Sequence, residues 1–168
     1  MIEFESLRAE HLALLREWLG REHVSRWWRT REESVTHAEE ALAGLDATDY
    51  YLIVADGRAV GMIETYRVDD HPDWAALVGE QGADASGLDL LIGEEDAVGR
   101  GLGPQVLEAF TREVIFRAPD IKAVVATVEE ANRRSWRAFE KAGFRHVGDV
   151  EEDGLPHRLM RLERRYAQ

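Results

Sequence analysis

The sequence predicts an α/β (α+β) domain built on a mixed, mainly antiparallel sheet flanked by about four helices. Three observations predict it. An alternating apolar and polar segment opens the chain, an Asp56-Gly57 pair separates two strand-like runs, and a glycine cluster joins a short apolar strand to an amphipathic helix. Residues 1–168 fit one domain with one core, since cores divide only beyond roughly 250 residues.

In chain order, Ile2 to Leu7 alternates as a half-buried strand does. Leu12, Leu15, Trp18 and Leu19 give a helix over 9–19, ended by Gly20. Thr30 and Glu33 have capping-box spacing and predict a second helix running to about Leu45. Tyr50 to Ala55 and Ala59 to Tyr66 flank Asp56-Gly57, a strong hairpin signal. Arg67 to Ser86 is acidic and weakly periodic, and reads as a long functional loop. Gly87 to Gly93 is a strand suited to the middle of a sheet. A helix follows from about Gly101 to Arg117, with apolar residues at 102, 106, 107, 110 and 114. Lys122 to Val128 is a buried strand, Ala131 to Ala142 a helix closed by Gly143, and Phe144 to Val150 with Leu155 to Glu163 a closing hairpin.

Composition narrows the function. Thirty-three acidic residues against 21 basic ones give a net charge of −12, the wrong sign for a nucleic-acid backbone. Such a balance either keeps a protein soluble or focuses a negative potential that draws in cations. No apolar run approaches the roughly 20 residues that span a bilayer. The first residues have no signal-peptide pattern and cysteine is absent, so the expected compartment is the cytoplasm. Six histidines show no metal-ligand spacing, and no metal is expected. Arg133-Arg134 reads as a helix start and Arg164-Arg165 as a solvated end.

The chemistry begins where the strand Gly87-Leu88-Asp89-Leu90-Leu91-Ile92-Gly93 gives way to Val98-Gly99-Arg100-Gly101-Leu102-Gly103. Alternating glycines expose backbone N–H groups, and the following helix adds its unpaired donors and positive dipole end. Together they form a cradle for a pyrophosphate, to which Arg100 adds a charge. A Walker A loop is missing, and Val106 stands where a dinucleotide fingerprint needs its third glycine.

This loop resembles the acyl-CoA loop of the GNAT superfamily, Gln/Arg-x-x-Gly-x-Gly/Ala, with Val98 departing at its first position. Asn132-Arg133-Arg134-Ser135 through Phe139-Glu140-Lys141-Ala142-Gly143-Phe144 resembles the superfamily's second signature. The resemblance implies a sheet splayed around acetyl-CoA between its fourth and fifth strands. The backbone from Leu88 through Leu90, Leu91 and Ile92 would meet the pantetheine. Val98, Gly99, Arg100, Gly101, Leu102 and Gly103 would hold the diphosphate, with Asn132, Arg134 and Phe139 completing the cofactor side. Asn132 also reads as a helix N-cap.

Further islands resemble one branch, the aminoglycoside 6′-N-acetyltransferases with their siderophore-acyltransferase relatives. They are Glu17-Trp18-Leu19, His23 through Trp27-Trp28, Asp73-Trp74, Gly87 to Leu91, and Asp153-Gly154 leading to Met160. The branch implies direct acetyl transfer to a primary amine of a polycationic small molecule by a monomer or homodimer. It places Trp27, Trp28, Tyr66, Asp73, Trp74, Asp89, Thr127, Glu129 and Asp153 around the acceptor. Acids at 69, 70, 73, 80, 84, 129, 130, 151, 152 and 153 form an expected rim, suited to ammonium groups.

Asp89 is the expected catalytic residue. It lies within an apolar strand, where Asp is disfavoured and an unpaired buried carboxylate is costly. It matches the branch's proton-accepting Asp, against the alternative of a strand residue facing solvent. Phe139 replaces the family's usual Tyr and has no proton for a leaving thiolate; Tyr66 and Tyr166 are candidates to replace it. Acylation of a lysine-derived siderophore precursor or another polyamine stays open, as does a catalytically weak acyl-CoA-binding module.

Overall fold

A computed structural model describes residues 1–80 and 84–164. Seven strands form one sheet in the order β1-β2-β3-β4-β5-β7-β6: β1 (Ile2–Ser6), β2 (Asp49–Ala55), β3 (Arg58–Arg67), β4 (Ala85–Ile92), β5 (Ala123–Glu129), β6 (Arg145–Glu152) and β7 (Leu155–Glu163). The pairs β1–β2, β2–β3, β5–β7 and β6–β7 are antiparallel, and β4 pairs with β5 in parallel through Ala85, Ser86 and Gly87. The mixed, mainly antiparallel α/β class is as the sequence predicts.

Six α-helices occur among the described residues: α1 (Leu12–Gly20), α2 (Glu22–Ser25), α3 (Arg31–Leu42), α4 (Pro72–Val78), α5 (Leu102–Glu113) and α6 (Arg133–Lys141). The two beyond expectation are the short ones. The stretch 67–86 is not a plain loop, because α4 forms inside it. Pro72 sits in its first turn, Asp73 opposes the positive dipole end, and Gly79 closes it at φ 75°. The second expected helix ends at Leu42 rather than Leu45, and the Thr30 side chain makes no cap; its hydroxyl lies 3.1 Å from that of Ser34 instead. Arg164 is not solvated either. Its guanidinium donates to the Phe116 and Ala118 carbonyls and lies 4.8 Å from the Phe116 ring centroid. Tyr166 lies outside the described residues.

The chain divides into two compact units, residues 1–65 with 89–100, and residues 66–88 with 101–168. Strands β3 and β4 each run from one into the other. The first unit buries Leu15, Trp18 and Leu19 of α1 and Val35 and Ala38 of α3 against Leu52, Val54, Met62 and Leu91. Helical spacing on one side and strand alternation on the other bring these faces together. In the second unit, Val68, Ala75, Val78, Ala85 and Val125 form a further cluster. Gly103 approaches Ala138 so closely that an added Cβ would lie 3.2 Å from the Ala138 Cβ, which brings α5 and α6 together.

The end of β4 is set inside the first unit. The Trp18 indole is fully buried and occupies the space a side chain at Gly93 would need: a Cβ there would lie 2.1 Å from Trp18 Cγ. Glu94 accepts from Trp18 Nε1 at 3.0 Å, from Arg21 at 2.9 Å and from Arg58 at 3.2 Å. Arg21 also donates to the Gly93 carbonyl at 2.8 Å, and His23 Nε2 lies 3.0 Å from the Ile92 carbonyl. Helix α1 and the segment after it therefore hold the chain at the point where it enters the glycine loop. Gly93→Ala should cost about 1–3 kcal/mol through overpacking. Urea unfolding would measure this, and an unchanged midpoint would contradict the packing.

Candidate active site

The loop from Val98 to Gly103 has the backbone its glycines predict. Gly99 and Gly101 adopt φ of 77° and 75°, in the left-handed region that L-residues avoid, and Gly101 is the N-cap of α5. A short 3-10 turn over Glu95–Ala97 leads into it, with the Ala97 and Val98 N–H groups bonded to Glu94 and Glu95 carbonyls. Among the described residues, the N–H groups of Gly99, Arg100 and Gly101 donate to no protein acceptor. The first N–H groups of α5 have no helical partner by construction, although Pro104 brings none. Free donors beside a helix N-terminus are chemically fitted to a diphosphate. Arg100 and Arg134 are exposed.

Asn132 occupies the N-cap position of α6, but its side chain makes no cap hydrogen bond. Capping therefore does not use its amide. Phe139 is buried, and its ring meets Phe144 edge-on with centroids 5.0 Å apart.

Asp89 is half-buried on β4, and its surroundings contain a residue that sequence reading missed. Glu64 on β3 stands directly opposite Tyr50 on β2, and the Tyr50 hydroxyl donates to its carboxylate. Burial, then the Asp89 charge and more weakly that of Asp46, push the Glu64 carboxyl up to about 8, against the lowering effect of Tyr50. Burial and the same three acids hold the Tyr50 phenol far above its ordinary range. One signal for Glu64 was available: it is an acid among Val60, Met62 and Ile63. Alternation alone reads it as a residue facing solvent.

The expected acceptor residues fall into both units. In the first, Trp28 donates to Ser34 Oγ at 2.8 Å and packs on the core, while Trp27 is half-buried. In the second, Tyr66 meets Trp74 and His71 edge-on, with centroids 5.6 and 5.0 Å away, and Trp74 Nε1 donates to Glu152 at 2.8 Å. The Tyr66 ring also lies against Gly87, where a Cβ would come within 2.5 Å of it. Asp73 is exposed in the first turn of α4, Thr127 and Glu129 are half-buried on β5, and Asp153 is exposed at the β6–β7 turn with φ 51°. The acidic rim is thinner than its composition promised. Glu80 pairs with Arg161, Glu130 with Arg158 at 2.7 Å, and Glu152 with Trp74.

Comparison with known proteins adds a family. Residues 8–152 match the model for an acetyltransferase (GNAT) domain. Aminoglycoside N(6′)-acetyltransferase type 1 of Klebsiella pneumoniae is 29% identical over 152 residues, which cover 86% of this chain and 74% of that protein. The Serratia marcescens protein of that name matches equally. The crystal structure of aminoglycoside acetyltransferase AAC(6′)-Ib with coenzyme A and kanamycin superposes with a TM-score of 0.81 at 23% identity, covering 98% of this chain and 96% of that one. An uncharacterized Bacillus halodurans protein gives 0.85 at 24%, covering 98% and 84%. These two likenesses establish the fold.

The Glu64 environment generates a stability prediction. Its folded value, about 8, lies above the ordinary 4.5, so its contribution is complete below about pH 4.5 and is lost as pH rises through 8. Relative to Glu64→Gln, the melting temperature of the wild type should therefore fall across that window. A difference constant with pH would contradict the buried, acid-flanked setting.

Proposed function

We propose that this chain, which belongs to the GNAT acetyltransferase family, transfers acetyl from acetyl-CoA to a primary amine of a polycationic aminoglycoside, as an aminoglycoside 6′-N-acetyltransferase conferring resistance. The observation that carries the reading is a pair of half-buried acids, Asp89 on β4 and Glu64 on β3, with β4 running on to a loop whose Gly99, Arg100 and Gly101 N–H groups donate to no protein acceptor among the described residues. The matched relatives bear the name of that activity. The fold match to a kanamycin complex supports it further.

In this reading residues 1–168 act as one cytoplasmic catalytic domain. The loop amides from Val98 to Gly103 and the start of α5 bind the diphosphate, with Arg100 and Arg134 adding charge. The Leu90, Leu91 and Ile92 backbone aligns the pantetheine, and Asn132 and Phe139 bound that side. Acetyl-CoA supplies the thioester carbonyl. Asp89 binds the reacting ammonium and takes its proton, so that the neutral nitrogen can attack; the C–N bond forms as the C–S bond breaks. Phe139 gives no proton, and the thiol leaves as thiolate or is protonated by solvent, since a free thiol ionises near pH 8.5. Proximity supplies much of the acceleration. Trp27, Trp28, Tyr66, Asp73, Trp74, Thr127, Glu129 and Asp153 receive the sugar rings and remaining ammonium groups.

The test is thiol release from acetyl-CoA against kanamycin, polyamines and N-hydroxylysine. Release with kanamycin supports the proposal. Release only with a polyamine or with N-hydroxylysine moves the acceptor to that class, and none with any amine overturns the enzyme reading. Asp89→Asn should lower kcat about 100-fold or more; unchanged kcat would remove its role as base. Asp153→Asn keeps a side chain that tolerates the left-handed turn conformation, and should raise the acceptor KM with kcat little altered. An unmoved KM would exclude Asp153 from the acceptor site.

A further inference from the structure

We propose that Glu64 is a second, protonatable carboxyl of the acceptor site, held by Tyr50 beside Asp89, and that it gives up its proton when a polycationic amine binds. This rests on the reading of Asp89 as the acceptor carboxylate. The placement comes from the strands. Tyr50 and Glu64 are cross-strand partners on β2 and β3. Beyond them, β3 is locked to the end of β4: the Gly93 and Glu94 N–H groups donate to the Val60 carbonyl at 2.8 and 3.1 Å, and Gly61 lies against the Leu91 carbonyl. From that lock, Glu64 and Asp89 lie further along neighbouring strands, and their charges act on each other.

The groups acting on Glu64 are Tyr50 from β2, Asp46 from the turn before β2, and Asp89 from β4, none of them cationic. Asp46 is itself fixed by the Thr48 N–H at 2.7 Å. The Asp89 charge therefore opposes ionisation of Glu64. Burial acts in the same direction on Glu64, while the Tyr50 hydroxyl steadies its ionised form and limits the cost of charging it. Glu64 and Asp89 are both half-buried rather than enclosed in the core.

An arriving ammonium brings Glu64 an opposite charge, which none of the groups acting on it supplies. Glu64 then ionises, its proton passes to solvent, and the new carboxylate retains one ammonium of the acceptor. Asp89 remains the group that takes the proton of the reacting nitrogen. The arrangement selects amines with a second cationic centre near the first, and it does so most strongly near and above the pH at which Glu64 ionises by itself, where no proton has to be displaced. A monoamine fills one carboxylate and leaves the other protonated.

The test follows the side-chain carboxyl carbons of 13C-glutamate-labelled protein through a pH titration, in the wild type, Glu64→Gln and Tyr50→Phe, with and without saturating kanamycin. One glutamate of the free wild type should titrate well above the ordinary range. That signal should be missing in Glu64→Gln and shifted further up in Tyr50→Phe. Kanamycin should lower its midpoint by about one unit or more, a tenfold change in proton affinity. In kinetics, Glu64→Gln should raise the kanamycin KM about tenfold at pH 8.5 and far less at pH 6, with kcat less affected. A free protein with no glutamate titrating above about pH 6 overturns the proposal, and so does a midpoint that kanamycin leaves in place. If kanamycin neither binds nor is acetylated, the aminoglycoside reading fails separately. The same titration with spermine then decides the role of Glu64, which an unmoved midpoint overturns.

Discussion

The whole arrangement depends on the contact between the Trp18 indole and the bare backbone at Gly93. That contact fixes where β4 stops, because no side chain fits at Gly93 while the indole is there. The Glu94 carboxylate, reached by Trp18, Arg21 and Arg58, then sets the direction in which the chain leaves. Everything chemical lies on either side of this point. Asp89 is on the strand before it, and the left-handed glycines 99 and 101 are in the loop after it. A strand end that slid by one residue would turn Asp89 to the other face.

Electrostatics explains why the acids matter more by place than by number. The net charge of −12 describes the surface as a whole. Much of the expected rim is spent on internal partners, as Glu80 with Arg161 and Glu130 with Arg158 show. The carboxyls with chemical leverage are those half-buried beside another acid, since desolvation and like charge both raise the energy of the ionised form. On the proposed reading, a cationic acceptor would relieve that cost directly.

Much of this was legible in the sequence, for reasons particular residues make plain. Asp56-Gly57 and Asp153-Gly154 carry turns whose left-handed conformations those residue types tolerate, so both hairpins could be read locally. The glycine loop was legible on the same ground. Helix α4 was not, because seven residues give too few turns for periodicity to emerge from an acidic stretch. Thr30 had the right spacing for a cap but bonds Ser34 instead, a choice between two local hydrogen bonds that spacing cannot make. Asp89 stood out as an acid in an apolar strand. Glu64 did not, since its setting is created by Tyr50 across the sheet and Asp89 on another strand, and no local pattern records either neighbour.

The central claim is that the amides between Val98 and Gly103 grip the diphosphate of a coenzyme A species. Calorimetry of the folded protein with coenzyme A tests it most directly. The account predicts saturable binding of one equivalent per chain, weakened when the diphosphate and adenosine are removed to leave pantetheine. No measurable heat or affinity with any coenzyme A species would contradict it.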